Sequence, residues 1–442
     1  MNDNYTKMTT LPVEKLVCRM AVPSILSMLI TAFYNMADTY FVSSISTQAT
    51  GAIGIVFSYM ALIQAISFFF GHGAGNYISR ELGRQNIDNA TLMASTGFFT
   101  AILTGAAIGI SGTVFIRPLL LFLGSTETIL PDAVNYIRFI LIATPFIMGA
   151  FVLNNLMRMQ GNAKLAVIGI SSGAILNVVL DPVFIFVFGL GTMGAGLATA
   201  ISQIVSFVLL LILSQKNGGV SIRWNRFKLT GRRFLDIFAG GIPSLARQGL
   251  GSVASIFLNN IAAPYSDSAI AAFSVVSKIF MMAASALIGF GQGFQPVCGF
   301  NYGAGLYDRV KKAFRFCVIV ATIAMTALAF FGYFRAESIV SFFRSDDPLL
   351  ISIACSAIKY QCISMPLTGY VIITNMYLQN TRKTLRATII AMARQGIMYI
   401  PVLLLMNYLL QLKGVMMSQA IADVLSFVLA IPLSVSALKE MK

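Results

Sequence analysis

Apolar runs of about 20 residues, broken by short polar stretches, recur from one end of the chain to the other. That length matches an α-helix crossing ~30 Å of hydrocarbon. With no water available to backbone amides, helices are the structure such long runs can adopt. The pattern predicts helices near 20–42, 51–73, 92–116, 133–156, 165–188 and 193–214. A second set follows near 238–262, 269–295, 313–334, 350–378, 387–408 and 414–437. The first run follows a polar segment with Lys7, Glu14, Lys15 and Arg19 and shows no small-residue cleavage site, so it reads as a membrane helix rather than a removed signal.

The second half repeats the first at an offset of 220 residues, as from Pro23 to Pro243. Gly71 and Gly73 fall on Gly291 and Gly293, Gly83 on Gly303, Asp88 on Asp308, and Ser206-Phe207-Val208-Leu209 on Ser426-Phe427-Val428-Leu429. Six helices per repeat return the chain to its starting side, so the two lobes share one topology, a parallel repeat about the membrane normal. The expected class is an all-α polytopic membrane protein of twelve helices in two six-helix lobes. The expected division is an N-terminal segment 1–19, an N-lobe 20–214, a linker 215–237, a C-lobe 238–437 and a tail 438–442.

Composition supports this: 57% of residues are hydrophobic and 11% charged, with a mean hydropathy of +0.80. The net charge of +15 does not point to nucleic acid, because the basic residues fall in one alternating set of loops. With the N-terminus inside, about 22 Lys and Arg lie on the cytoplasmic side and about four outside (Arg117, Arg335, Arg344, Lys413). Both termini, the linker and its Trp224 are therefore expected at the cytoplasmic face of a cell membrane. The five cysteines show no paired spacing and read as packing residues. There is no Walker A loop, and one histidine, His72, is too few for a histidine-based enzyme, so the chain does not read as an enzyme. His72 is expected to be structural, at a helix end.

Each charge at membrane depth costs about 2.5–3.5 kcal/mol on the insertion scale, so the few present are informative. Asp38 has Asn35 three residues before it, and Asp181 has Asn177 four residues before it, which puts each pair on one helix face. Pro182 bends the segment beside Asp181. With the hydroxyl of Thr199 these make a hard oxygen set suited to Na⁺, or to a proton shared by carboxylates that resist joint ionisation. Asp423 can form a static ion pair with Arg394 or Lys278, or serve as a second coupling site. Arg247 and Gln248 can line a central cleft or pack the lobes.

Pro23 with Asp38 fifteen residues on, Asn177-x-x-x-Asp181-Pro182, GAGLATA at 194–200 and GQGFQPVCGFNYGA at 291–304 together resemble the multidrug and toxic compound extrusion (MATE) family. The resemblance covers nearly the whole chain. It implies a cation site inside the N-lobe at Asp38, Asn177, Asp181 and Thr199, within a polar network of Tyr34, Tyr136 and Asn154, with Pro23 as a hinge. It implies an antiporter in the lipid bilayer, without cofactor, that exports organic cations in exchange for Na⁺ or H⁺ by alternating access; because one chain already contains both lobes, a monomer is expected. The seventh helix departs from one branch of the family by carrying Arg247 and Gln248, and the tenth has no carboxylate, which is closer to the bacterial multidrug branch. The rival reading is a flippase for lipid-linked oligosaccharide or peptidoglycan precursors, from the same superfamily.

Overall fold

Two helices of 37 residues, Thr47–Gly83 and Asp267–Gly303, form the spine of the molecule. At 1.5 Å per residue each is ~55 Å long, far more than the hydrocarbon needs. Both begin at the same device, a serine at the same point of the repeat. Ser46 accepts from the Ala49 amide at 2.9 Å, and Ser266 from the Ala269 amide at 3.1 Å. The structure, a computed structural model, describes residues 2–216, 220–343 and 347–441. Arg344, placed in an outer loop on sequence grounds, lies outside the described residues, as do parts of the linker and tail.

Among the described residues there are no strands, and twelve helices form the membrane body. In chain order they are α1 Val13–Ser43, α2 Thr47–Gly83, α3 Ile87–Val114, α4 Leu130–Met159, α5 Ala163–Pro182 and α6 Gly191–Lys216. The C-lobe repeats them as α7 Gly231–Ala262, α8 Asp267–Gly303, α9 Tyr307–Phe334, α10 Pro348–Asn380, α11 from Thr384 to 410, and α12 from 412 to 439. By length and apolarity alone there are ten spans. The difference is physical. Thr384–Lys439 counts as one long apolar helix, but Gln411 leaves helical geometry (φ 51°, ψ −136°), and the added Cβ of an alanine at 414 would meet the Met406 carbonyl, so the chain doubles back there. The other uncounted helix, α7, carries Arg232, Arg233, Asp236 and Arg247.

Three short helices went unanticipated: Asn2–Thr10, Ile116–Phe122 and Ala336–Phe343. They hold too few residues for a periodic signal. Two π turns, Val183–Val187 after Pro182 and Ala393–Ile397 within α11, were likewise unforeseen.

The lobes meet at the face that carries both termini and most of the basic loops. Here the repeated glycines have their use. A Cβ on Gly73 would lie 2.3 Å from the Ile237 carbonyl of α7, and one on Gly293 would lie 2.3 Å from Ala21 Cα of α1. So α2 packs on α7 and α8 on α1 with backbones in direct contact, once in each half of the repeat. In a bilayer such contact replaces the missing hydrophobic drive between helices. The helix ends change lobes as they do so. Val13, Leu16, Val17 and Met20 at the base of α1 join the C-lobe core, and Ile237 at the base of α7 joins the N-lobe core.

Polar groups complete this seal. His72 Nδ1 lies 2.8 Å from Ser244 Oγ, and Arg158 Nη1 donates to Gln292 Oε1 at 2.8 Å. Gln379 donates to Ser244 at 2.9 Å, and Arg80 donates to the Asn380 carbonyl at 3.1 Å. His72 sits three turns inside α2 rather than at its end as expected, fully buried against the other lobe. The short helix Asn2–Thr10 lies across both lobes: Asn4 donates to the Gln160 carbonyl at 2.7 Å, while Asn301 and Arg309 donate to the carbonyls of Met8 and Leu11 at 3.1 and 2.7 Å. At the C-terminal end, hydrogen bonds from Lys383 and Arg386 hold the exposed Glu440 carboxyl down to about 2.

Replacing Gly73 with leucine is expected to wedge α2 from α7 and open this face. Spin labels on the exposed repeat mates Asp88 and Asp308, with Cys18 replaced by serine, should report a longer inter-lobe distance in Gly73→Leu than in the parent. An unchanged distance distribution would show that the close contact does not hold the lobes together.

Candidate functional site

Above the seal each lobe encloses a cavity. The N-lobe cavity is about 70 Å³ and is bordered by Tyr34, Asn35, Asp38, Gln64, Tyr136 and Thr199 among apolar side chains. The C-lobe cavity is about 390 Å³ and is bordered by Arg247, Gln248, Gln361, Asn375, Arg394 and Gln419 among others. The two are the same place in the repeat. Tyr34, Asn35, Asp38, Met60, Gln64 and Thr199 in one fall on Ala254, Ser255, Leu258, Phe280, Ala284 and Gln419 in the other, all at the 220-residue offset.

In the N-lobe, α4 carries Tyr136, whose hydroxyl donates to Asp38 Oδ2 of α1 at 2.7 Å. On α5, one helical turn sets Asn177 beside Asp181, and the Asn177 amide donates to Asp181 Oδ1 at 3.1 Å. The same amide reaches Thr199 Oγ1 of α6 at 3.4 Å. Asp181 is fully buried, and the π turn that follows Pro182 begins two residues later. Three buried acceptors remain without any hydrogen-bond donor: Asp38 Oδ1, Asn177 Oδ1 and Asp181 Oδ2. An orphaned buried acceptor costs about 1–3 kcal/mol, more if charged, so three together call for a cation or protons to satisfy them. Among the described residues no group of three His, Cys, Asp or Glu could hold a metal. The set offers two carboxylates with neutral oxygens, the chemistry of Na⁺ or H⁺ rather than of a transition metal.

The structure forms two hydrogen-bonded sets, Tyr136 with Asp38 and Asn177 with Asp181 and Thr199; Asp38, Tyr136 and Thr199 line one cavity with Tyr34 and Asn35, while Asn177 and Asp181 stand behind Thr199 and are not among its lining residues. It places Asn154 elsewhere. The Asn154 amide donates to the Ala166 carbonyl at 2.9 Å, and its oxygen accepts from Arg158 at 3.4 Å, so it joins the polar groups of the seal. Pro23 is buried in α1 between two points where α8 presses on it, Ala21 against Gly293 and Ile25 against Gly289. Pro23 has no N–H to donate, so α1 can flex there. Gln64 escaped the sequence reading because it has no charged or amide neighbour at helical spacing on α2, only Ser67 three residues on.

In the C-lobe, Asp423 is fully buried and accepts from Arg394 Nε at 2.8 Å, Gln419 at 3.1 Å and Ser364 at 3.3 Å. The static ion pair is therefore present. The other partner considered, Lys278, is exposed and forms no ion pair among the described residues. Arg247 and Gln248 line the cavity. Arg247 has one long contact, Nη1 to Asn375 Oδ1 at 3.5 Å, and its buried Nε has no partner.

Two six-helix lobes joined by a seal at one face, with a polar cavity in each, define a two-lobed membrane protein built like a secondary transporter. The MatE family model matches residues 23–183 and again 243–405, beginning at the two repeat prolines. The chain belongs to the MatE family, the MATE transporters its sequence resembles. It is 28% identical over 421 residues to Multidrug export protein MepA of Staphylococcus haemolyticus (strain JCSC1435), covering 94% of this chain and 92% of that protein. With MepA of Staphylococcus aureus (strain MRSA252) it shares 27% over 417 residues, 93% of this chain and 91% of the relative. A crystal structure of MATE in complex with MaL6 has the same fold, with a TM-score of 0.93 at 22% identity over 99% of this chain and 98% of that one. The outward-facing conformation of a multidrug resistance MATE family transporter of the MOP superfamily matches with a TM-score of 0.93 at 23% identity over the same shares.

Removing Arg394 leaves Asp423 buried and uncompensated. Arg394→Ala is expected to destabilise the protein by about 3–5 kcal/mol, while Arg394→Met with Asp423→Leu recovers most of the loss. Thermal melting in detergent of the two single variants and the double variant checks this. Additive losses would mean that the pair is not coupled.

Proposed function

We propose that the protein is a multidrug efflux antiporter that exports small organic cations in exchange for Na⁺ or H⁺ by alternating access. The observation that carries this reading is the set of three buried, donorless oxygens on Asp38, Asn177 and Asp181. Family membership and the export function named for the staphylococcal relatives support it.

The excess of Lys and Arg at the sealed face supports a cytoplasmic location for that face and both termini, in a plasma membrane. The conformation is then closed to the cytoplasm and faces outward. In this state Na⁺ or a proton enters the N-lobe cavity from outside. Its volume of about 70 Å³ suits an ion with a water or two, since a water occupies about 30 Å³. Asp38 and Asp181 share the cation; Tyr136 steadies Asp38, and Asn177 ties Asp181 to Thr199. Neutralising the pair removes their repulsion and lets α1 beyond Pro23 repack toward α5 and α6, which narrows the outward opening and releases the drug. Breaking the glycine seal then exposes the cavities to the cytoplasm for the next cycle.

The energetics are adequate. One inward charge at about 100 mV supplies about 2.3 kcal/mol, and a tenfold gradient adds about 1.4 kcal/mol. The flippase reading needs room for a long polyprenyl chain and a pyrophosphate. It would be favoured by a cell-wall defect, without loss of ethidium efflux, on deletion.

Ethidium efflux from proteoliposomes, with a Na⁺ gradient and a pH gradient imposed separately, is expected to respond to one of them. Asp38→Asn and Asp181→Asn are each expected to reduce that gradient-driven rate by about tenfold or more. Undiminished efflux in Asp38→Asn would remove the N-lobe site from the coupling mechanism.

A further inference from the structure

The two cavities differ in size and sign, although the repeat makes them equivalent. The C-lobe cavity, about 390 Å³, lies in the range of small-molecule sites; the N-lobe cavity, at about 70 Å³, falls well below it. Its charged lining residues are Arg247 and Arg394. Asp423 already answers Arg394, in a bond of 2.8 Å. Among the described residues no acidic side chain pairs with Arg247. Its Nε is buried without a partner, and Nη1 reaches only the neutral Asn375 oxygen at 3.5 Å. One guanidinium is thus left over at membrane depth, where an uncompensated charge is costly. The same cavity is lined by the amide side chains of Gln248, Gln361 and Gln395 and by apolar side chains that include Phe280, Met281 and Ile372.

We propose that the C-lobe cavity is a binding subsite for the carboxylate end of an amphipathic small molecule, with Arg247 as its anchor. Guanidinium forks match carboxylates in geometry, with two parallel N–H donors. The surrounding amides donate to the second lone pairs, and the Phe280 and Met281 wall takes the apolar body. The exported class thereby extends from cations to zwitterions and amphipathic acids. The proposal rests on the efflux reading for the cargo's fate but not for its binding.

The test uses 4-benzoylbenzoate, a photoactivatable amphipathic carboxylate, and its methyl ester, with the full chain in phosphatidylcholine nanodiscs. Wild-type protein is expected to bind the acid about tenfold more tightly than the ester, and illumination should label peptides containing Phe280 or Met281. Arg247→Gln should bring acid and ester to within about twofold, and Arg247→Lys, which keeps the charge, should keep the preference for the acid. Should Arg247→Gln fail to fold, the wild-type preference and the labelled peptides decide. No preference for the acid, labelling confined to other helices, or a preference that survives Arg247→Gln would overturn the proposal. So would its abolition by phosphatidylglycerol in the nanodisc, which would make the cavity a lipid-headgroup site. Ethidium efflux by the wild-type protein is measured in parallel, and its absence would strike the efflux reading while leaving the binding result intact.

Discussion

Backbone-to-backbone contact between the lobes, α2 on α7 and α8 on α1, is the constraint on which the rest depends. In water, two lobes could be held by hydrophobic surface. In lipid that force is absent between helices, and close dispersion contact must serve instead. Gly73 and Gly293 make it possible because they present no Cβ. Around that contact the polar bonds of His72, Arg158 and Gln379 are shielded from water, so each is worth more than at a surface. The two cavities lie above it, one inside each lobe. The seal is formed twice, once per repeat, by equivalent glycines.

Within this symmetric frame the chemistry is asymmetric. The same positions that bear Asp38 and Thr199 in one lobe bear Leu258 and Gln419 in the other. Each lobe keeps an acidic residue at depth, but in opposite circumstances. Asp423 has three donors and a fixed counter-charge, whereas Asp38 and Asp181 each keep an oxygen with none. A satisfied carboxylate holds helices in place; an unsatisfied one leaves a buried acceptor open. One ancestral cavity has become a small acidic chamber and a larger cationic one.

Much of this was legible in the sequence, for reasons that can be named. Long apolar runs and the 220-residue offset disclosed twelve passes and two lobes, because membrane crossing is a local, length-based property. Asn177 and Asp181 could be joined on paper because a helix brings residues four apart together. What escaped depends on partners far away in the chain. Asn154 joins the seal rather than the acidic chamber because α5 offers it the Ala166 carbonyl, and His72 finds Ser244 in the other lobe. The exchange of helix ends between cores was invisible too, since apolar residues at the base of α1 look the same whichever lobe receives them.

The short helix Asn2–Thr10 gives the molecule an order in time. The carbonyls of Met8 within it and of Leu11 just after it accept from Asn301 and Arg309, which are synthesised almost 300 residues later. At about 5–20 residues per second that is a wait of roughly 15–60 s on the ribosome. Through that interval the base of α1 has no C-lobe core to enter, and the N-lobe stands in the bilayer without the partner that seals it. Residues near the beginning of the chain are therefore among the last to reach their places, and the closed face cannot form until α8 and α9 have been inserted.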